Sequence, residues 1–319
     1  MFNNYLLKIN NSIELLVHDL NDSKIYDPIK YFLKLPSKRI RPIATIISNN
    51  LFNNDIDYAL PAALANEVFH NFTLIHDDIM DSSKIRRGNE TVHTKWNLNQ
   101  AILSGDSMLI LSYKLLEKYP HEIQKLLLKL FNDTALLICE GQQLDIDFES
   151  QNEVEYLSYI NMIEYKTAVL LGSSLKMGAL INSADNSTSD LLYKCGVNLG
   201  LAFQIQDDYL DLFGDEKIIG KKIGGDVVEN KKTILYHLCF ANANKSQKLL
   251  LNEIYNSSEK DKIHNARKLF TETKADLESR NLVKKYSELA ISQINDLEID
   301  SSKKLELETL SKLLLKRKF

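Results

Sequence analysis

Proline breaks helices, and this chain nearly lacks it. Pro28, Pro36, Pro42, Pro61 and Pro120 are the five prolines, and none follows Pro120. A fixed φ and a missing N–H make proline costly inside a helix. Beyond Pro120 the apolar residues recur at intervals of three and four rather than two, the spacing of a helix with one buried face. The pattern predicts an all-α chain. Helices are expected near 2–20, 40–52, 57–79, 98–118, 121–140, 153–182, 187–212, 231–242, 246–257, 261–294 and 301–317. Ser82 to Trp96 and Gly214 to Asn230 are polar and read as loops, the second holding four of the eleven glycines. No solenoid repeat or low-complexity linker interrupts the chain, so a single helical domain over 1–319 is expected.

Two acidic triplets share one spacing: Asp77-Asp78 with Asp81, and Asp207-Asp208 with Asp211. Carboxylates four apart project from the same helix face. Each triplet follows an apolar run and falls where its helix is expected to end, and a carboxylate at a helix C-terminus opposes the macrodipole. One triplet alone reads as a solvated helix end. Two point to a bound hard cation, and Mg²⁺ prefers one or two carboxylates completed by substrate phosphates. Facing helices of a bundle build metal sites in this way, so the two triplets are expected to meet across a cavity and share metal.

Basic groups lie near both triplets: Lys38-Arg39-Ile40-Arg41, Arg86-Arg87-Gly88, Lys166-Thr167, and Lys221 and Lys231 flanking the glycine-rich loop. Arginine forks grip phosphate in two places and lysine supplies a point charge. Taken singly each group reads as ordinary surface; together with the triplets they fit two diphosphates. His70 lies two turns before Asp77, so it reads either as a satisfied core residue or as a phosphate donor.

Composition narrows the classes. With 44% hydrophobic residues a large core is available, and a net charge of -4 argues against nucleic acid held by a general positive field. Cys139, Cys195 and Cys239 are scattered, which predicts a reduced, cytoplasmic setting. No signal-peptide pattern opens the chain and no apolar run is long enough for a membrane span.

The motifs resemble those of the trans-prenyl diphosphate synthases, the polyprenyl synthetases, over nearly the whole chain. The likeness rests on Lys38 to Pro42, Glu67 to His70, Leu74 to Asp81, Arg86-Arg87-Gly88, Thr91-Val92-His93, Gly105-Asp106, Gly141-Gln142 and Lys166-Thr167. It continues through Phe203 to Asp211, Gly220-Lys221, Gly224 and Lys231-Lys232-Thr233. The resemblance implies the isoprenoid synthase fold, a helical bundle around a central cavity, usually a homodimer. It implies condensation of isopentenyl diphosphate with an allylic diphosphate, dependent on Mg²⁺, with three ions when substrate is bound. Asp77, Asp81 and Asp207 would hold metal, supported by Asp78, Asp208 and Asp211. With Lys166 the three ligands would carry catalysis. Arg86, Lys166, Thr167, Gln204, Lys221 and Lys231 would serve the allylic diphosphate, and Lys38, Arg41, His70 and Arg87 the isopentenyl diphosphate.

Two departures stand out. Pro36-Ser37 occupy the place of a usual Gly-Gly, and serine resists a positive φ that glycine permits, so the Lys38 loop is expected to sit differently. Asn230 stands where glycine is common, a milder change.

In the implied reaction the allylic C–O bond ionises, the isopentenyl double bond attacks, and a proton leaves to the departing diphosphate. No protein nucleophile is required. The product tail should run beneath Asp77. Phe72 lies roughly 7.5 Å below it and Phe69 roughly 12 Å. Family experience makes an aromatic at the Phe72 position a floor. Thr73 lies more directly under Asp77 and would let the tail pass. Either phenylalanine also reads as plain core. A short product follows, geranylgeranyl or farnesyl diphosphate. The alternatives are a terpene cyclase of the same fold and a non-catalytic subunit of a heteromeric synthase.

Overall fold

The computed structural model describes residues 2–151, 153–215, 223–257 and 261–315. In order the elements are α1 (Phe2–Asp19), α2 (Asp27–Leu33), α3 (Ile40–Asn50), α4 (Ile56–Met80), β1 (Ile85–Arg86), β2 (Asn89–Glu90), α5 (Val92–Lys95), α6 (Leu98–Leu116) and α7 (His121–Ser150). They continue as α8 (Tyr156–Ile163), a π-helix (Glu164–Ala168), α9 (Val169–Leu180), α10 (Asn186–Phe213), α11 (Gly225–Val228), α12 (Ile234–Asn242), α13 (Lys245–Asn256), α14 (Lys262–Glu272), α15 (Ala275–Asp296) and α16 (Ser301–Leu315). The expected all-α architecture holds; strand is confined, among the described residues, to one short hairpin.

Two compact units form. The first comprises Met1–Asn132, Ser173–Leu192 and Glu298–Lys304; the second comprises Asp133–Gly172, Tyr193–Leu297 and Leu305–Phe319.

In the first unit α4 packs most extensively on α6 and α3. Asp55 caps its start, accepting from the amides of Asp57 (3.0 Å) and Tyr58 (3.2 Å). Alanines 59, 62, 63 and 65 are all buried and let neighbours approach closely. Pro61 lies inside this helix, where it opens the hydrogen-bond ladder. The Tyr119 hydroxyl repairs the opening: it accepts from Ala62 N (3.2 Å) and donates to Tyr58 O (2.7 Å). The apolar face of α4 therefore carries the chain without a break to Asp77 near its C-terminal end.

The corresponding long helix is α10, whose Tyr193–Phe213 stretch belongs to the second unit; just before its start Asp185 accepts at its carboxylate from Thr188 N (2.9 Å) and Thr188 Oγ1 (2.7 Å). Its inner residues Leu201, Ala202, Ile205 and Leu212 join a core with α8, α12, α14 and α15.

The structure differs from expectation in several places. The helix expected at 153–182 is interrupted by the π-helix, and the one at 261–294 is split. The split follows from Thr273, whose hydroxyl turns back to Leu269 O (2.9 Å), and from Lys274, which takes a left-handed φ of 61°. Helix α2 lies outside the expected helices; Pro28 sits in its first turn, where a missing N–H does no harm. Helix α7 runs to residue 150 rather than 140, and the 82–96 loop contains the hairpin.

Candidate active site

In the first unit the acidic triplet closes α4. Asp81 is its C-cap, with its amide bonded to Asp77 O (2.9 Å). Asp78 is buried and Asp77 partly so, while Asp81 is exposed. The hairpin beyond turns on Arg87 (φ 54°) and Gly88 (φ 75°), the positive pair of a tight two-residue connection. This turn sends adjacent arginines to different targets. Arg86 donates through Nε to Asp78 Oδ1 (2.8 Å), with Nη2 at 2.6 Å from the same oxygen and 3.3 Å from Asp77 Oδ2. Arg87 donates to Asn71 Oδ1 (3.2 Å) and lies over the Phe32 ring at 5.9 Å. Burial pushes the Asp78 carboxyl up, against the pull of Arg86, and its Oδ2 is buried with no hydrogen-bond partner.

The Lys38–Arg41 run resolves into three different roles. Lys38 is exposed. Arg39 is not a substrate cation: it is 3% exposed and donates through Nη1 to Glu67 Oε1 (2.6 Å), through Nη2 to Leu33 O (2.5 Å) and through Nε to Asn10 Oδ1 (3.3 Å). Asn71 donates to the same Glu67 oxygen (3.1 Å), so one buried carboxylate anchors both the Arg39 loop and, through Asn71, Arg87. Arg41 donates to His70 Nε2 (3.1 Å). Arginine has no acceptor, so that nitrogen must be unprotonated and the imidazole neutral. Burial and the nearby Arg41 and Arg87 hold His70 well below its usual range. Burial likewise lowers Arg41 to about 10, and its Nε is a buried donor with no acceptor. With Arg39 already paired to Glu67, the remaining Arg41 and Arg87 beside a neutral histidine suit an anion.

At the Pro36-Ser37 departure the bend lies beyond the two residues. Neither residue takes a positive φ; the left-handed residue is Arg39 (φ 49°). Ser37 Oγ accepts from the Arg39 amide (3.3 Å), so serine supports the bend rather than resisting it.

In the second unit Asp207 is half-buried on α10, and Asp208 and Asp211 are buried. Asp208 accepts from the Tyr159 hydroxyl (2.7 Å) and from Gln204 Nε2 (2.9 Å), so Gln204 orients a carboxylate. Burial pushes Asp208 up to about 7 despite these bonds. Asp211 accepts from the Asp226 amide at Oδ2 (2.9 Å), and its carbonyl accepts from Gly224 N (2.5 Å), which ties the following loop to α10. Lys166 and Thr167 lie in the π-helix, a form often found at functional sites. Lys166 pairs with Asp145 Oδ2 at 2.6 Å. Asp145 was missed by sequence reading; its signal was its place one turn after Gly141 on the same helix. Lys231 is exposed and pairs with Glu229 at 3.0 Å. Lys221 lies outside the described residues.

The donors present fit magnesium. Every carboxylate named is a hard oxygen ligand, and buried Asp78 and Asp208 are raised in pKa, the condition that a neighbouring cation reverses. Among the described residues no three His, Cys, Asp or Glu groups gather closely enough to form a metal site unaided.

Beneath the first triplet Phe72 meets His76 edge-on at 4.8 Å and Phe69 at 5.5 Å, and Phe69 meets Phe131 at 4.9 Å. Phe69 is 2% exposed; Phe72 and Thr73 are half-buried. The Thr73 hydroxyl donates to His70 O (2.8 Å).

An all-helical scaffold carrying two aspartate triplets, each accompanied by cations, defines a prenyltransferase of the isoprenoid synthase fold. The polyprenyl synthetase family model matches residues 22–273, and the chain belongs to that family. It is 36% identical, over 93% of its length and 92% of the relative's, to a geranylgeranyl diphosphate synthase of Sulfolobus acidocaldarius. A crystal structure of a geranylgeranyl pyrophosphate synthase superposes with a TM-score of 0.94 at 40% identity, covering 100% of this chain and 99% of the other. The geranylgeranyl pyrophosphate synthetase of Pyrococcus horikoshii gives 0.93 at 31% identity, covering 99% and 98%.

Proposed function

We propose that this chain condenses isopentenyl diphosphate with an allylic diphosphate, head to tail, and that the principal product is geranylgeranyl diphosphate. The observation that carries the reading is the presence of both intact triplets in a family member whose relatives are geranylgeranyl diphosphate synthases. Asp77, Asp81 and Asp207 would hold Mg²⁺, which supplies Lewis-acid neutralisation of the leaving diphosphate when bound. Arg86 and Asp78 hold each other, so the first triplet keeps its shape before substrate arrives. Lys166, set by Asp145, and Lys231 bind the allylic diphosphate with Thr167 and Lys221. Arg41, oriented by neutral His70, binds the isopentenyl diphosphate with Arg87 and Lys38. Fixed positive charge is worth most where charge develops, and ionisation of the allylic C–O bond places it on the diphosphate. Phe72 and Phe69 would limit the tail.

The family match spans parts of both units, which supports one catalytic domain. No helix among the described residues is long and apolar enough to cross a membrane, so a cytoplasmic enzyme is the reading adopted. Helix α6 exposes Ile102, Leu103 and Ile110, which supports a homodimer.

Purified protein incubated with Mg²⁺, isopentenyl diphosphate and farnesyl diphosphate should yield a twenty-carbon prenyl diphosphate. Farnesyl diphosphate alone should give nothing; a hydrocarbon would identify a cyclase instead. Asp77→Ala should lower kcat about a thousandfold. A near-normal rate in that variant would remove Asp77 from the metal site.

A further inference from the structure

One buried cation of the second unit takes no part in the chemistry described so far. Lys262 opens α14 and is 6% exposed. An ammonium has three donors and no acceptor. Here it reaches three oxygens: Asn230 Oδ1, Tyr255 O (3.3 Å) and Ser257 O (3.2 Å). All three are uncharged, so Lys262 is placed as a structural donor rather than as half of an ion pair.

The Asn230 contact matters because of where Asn230 stands. The segment from Gly224 to Asn230 begins and ends in the left-handed region, with φ of 77° and 60°. The first two residues of α14 serve both bends. A Cβ on Gly224 would lie 2.8 Å from Ile263 Cδ1, so Ile263 seats the first bend against its side chain. Lys262 holds the second by its side-chain oxygen. The next residue, Lys231, has its amide bonded to Asp226 O (2.8 Å), and Asp226 is in turn tied to Asp211. The direction in which Lys231 leaves the loop is thus set by the backbone of Asn230. Asparagine tolerates this region, but only glycine enters it freely.

We propose that Lys262 is a positioning residue for diphosphate binding: by gripping Asn230 it holds the left-handed bend that presents Lys231. The proposal rests on the assignment of Lys231 to the allylic diphosphate. It makes Asn230 and Lys262 a matched pair that does the work of one glycine.

The test compares wild type, Lys262→Met, Asn230→Gly and the double variant, reading kcat and both KM values. Lys262→Met should raise the KM for farnesyl diphosphate about tenfold, equivalent to ~1.4 kcal/mol. The KM for isopentenyl diphosphate and kcat should stay within about twofold. Asn230→Gly should resemble wild type, and adding it to Lys262→Met should restore the allylic KM. A merely structural lysine would lower thermal stability without this split or rescue. An unchanged allylic KM in Lys262→Met, an equal rise in both KM values, or a double variant as impaired as Lys262→Met overturns the proposal. Should Lys262→Met not fold, Lys262→Gln enters the same comparison. If wild type makes no prenyl diphosphate, the reaction reading fails on its own. Calorimetry with Mg²⁺ and inorganic diphosphate then reads the strut, which requires about tenfold weaker binding in Lys262→Met and recovery in the double variant.

Discussion

A guanidinium taken out of water needs an anion beside it, and losing the anion is worse than never having had the pair. Removing one partner of a buried pair typically costs about 3–5 kcal/mol, because the other charge stays buried. Arg39 and Glu67 are such a pair, 3% and 1% exposed. Glu67→Ala should therefore lower unfolding stability in urea by about 3–5 kcal/mol. A loss below ~1 kcal/mol would mean that the pair is wet in solution. Exposed pairs such as Lys284–Glu288 should count for little. Sequence reading grouped Arg39 with its neighbours because composition shows three cations in four residues. What separates them is a left-handed backbone at Arg39, and no glycine or asparagine announces it. His70 could not be assigned from spacing either; its role depends on Arg41, which comes from another helix.

At the scale of elements, long amphipathic helices were legible and their interruptions were not. The ends of α1, α4, α6 and α10 fall within a few residues of expectation because cap residues and apolar spacing agree there. The π-helix has no such signal. It inserts a residue without proline or glycine and is held by close approach from α7. Gly141 faces the backbone of Lys166 and leaves no space for a side chain. Gly141→Ala should push α7 and the π-helix apart. Overpacking of this kind costs about 1–3 kcal/mol, and kcat should fall as well because Lys166 moves from Asp145. Wild-type melting and kinetics in this variant would show that the approach is looser than described.

Over the whole molecule, acid should act through a buried imidazole, His237, which packs against Tyr159. His237 is 1% exposed in the core of the second unit, bonded through Nδ1 to Val154 O (3.1 Å). Burial lowers it from 6.5 to about 4. Between those values the unfolded chain binds the proton and the folded chain does not, so the His237 contribution to stability rises with pH there, opposite in sign to that of Asp208, whose raised pKa favours the acid side. The His237 contribution should be complete above the upper value and decline by about 3 kcal/mol as pH falls to the lower one. His237→Phe should flatten that part of the profile in urea titrations; an unchanged slope would assign acid lability elsewhere.

The two aspartate triplets are spelled alike, and the likeness ends there. Asp81 stands in water at the tip of its helix, whereas Asp211 is buried and occupied by the amide of Asp226. One faces solvent and the other works as a hinge pin. A tally of acidic letters would overstate the ligands available by three, because Asp78, Asp208 and Asp211 are already engaged, and grafting either motif in place of its twin would leave a loop unfastened.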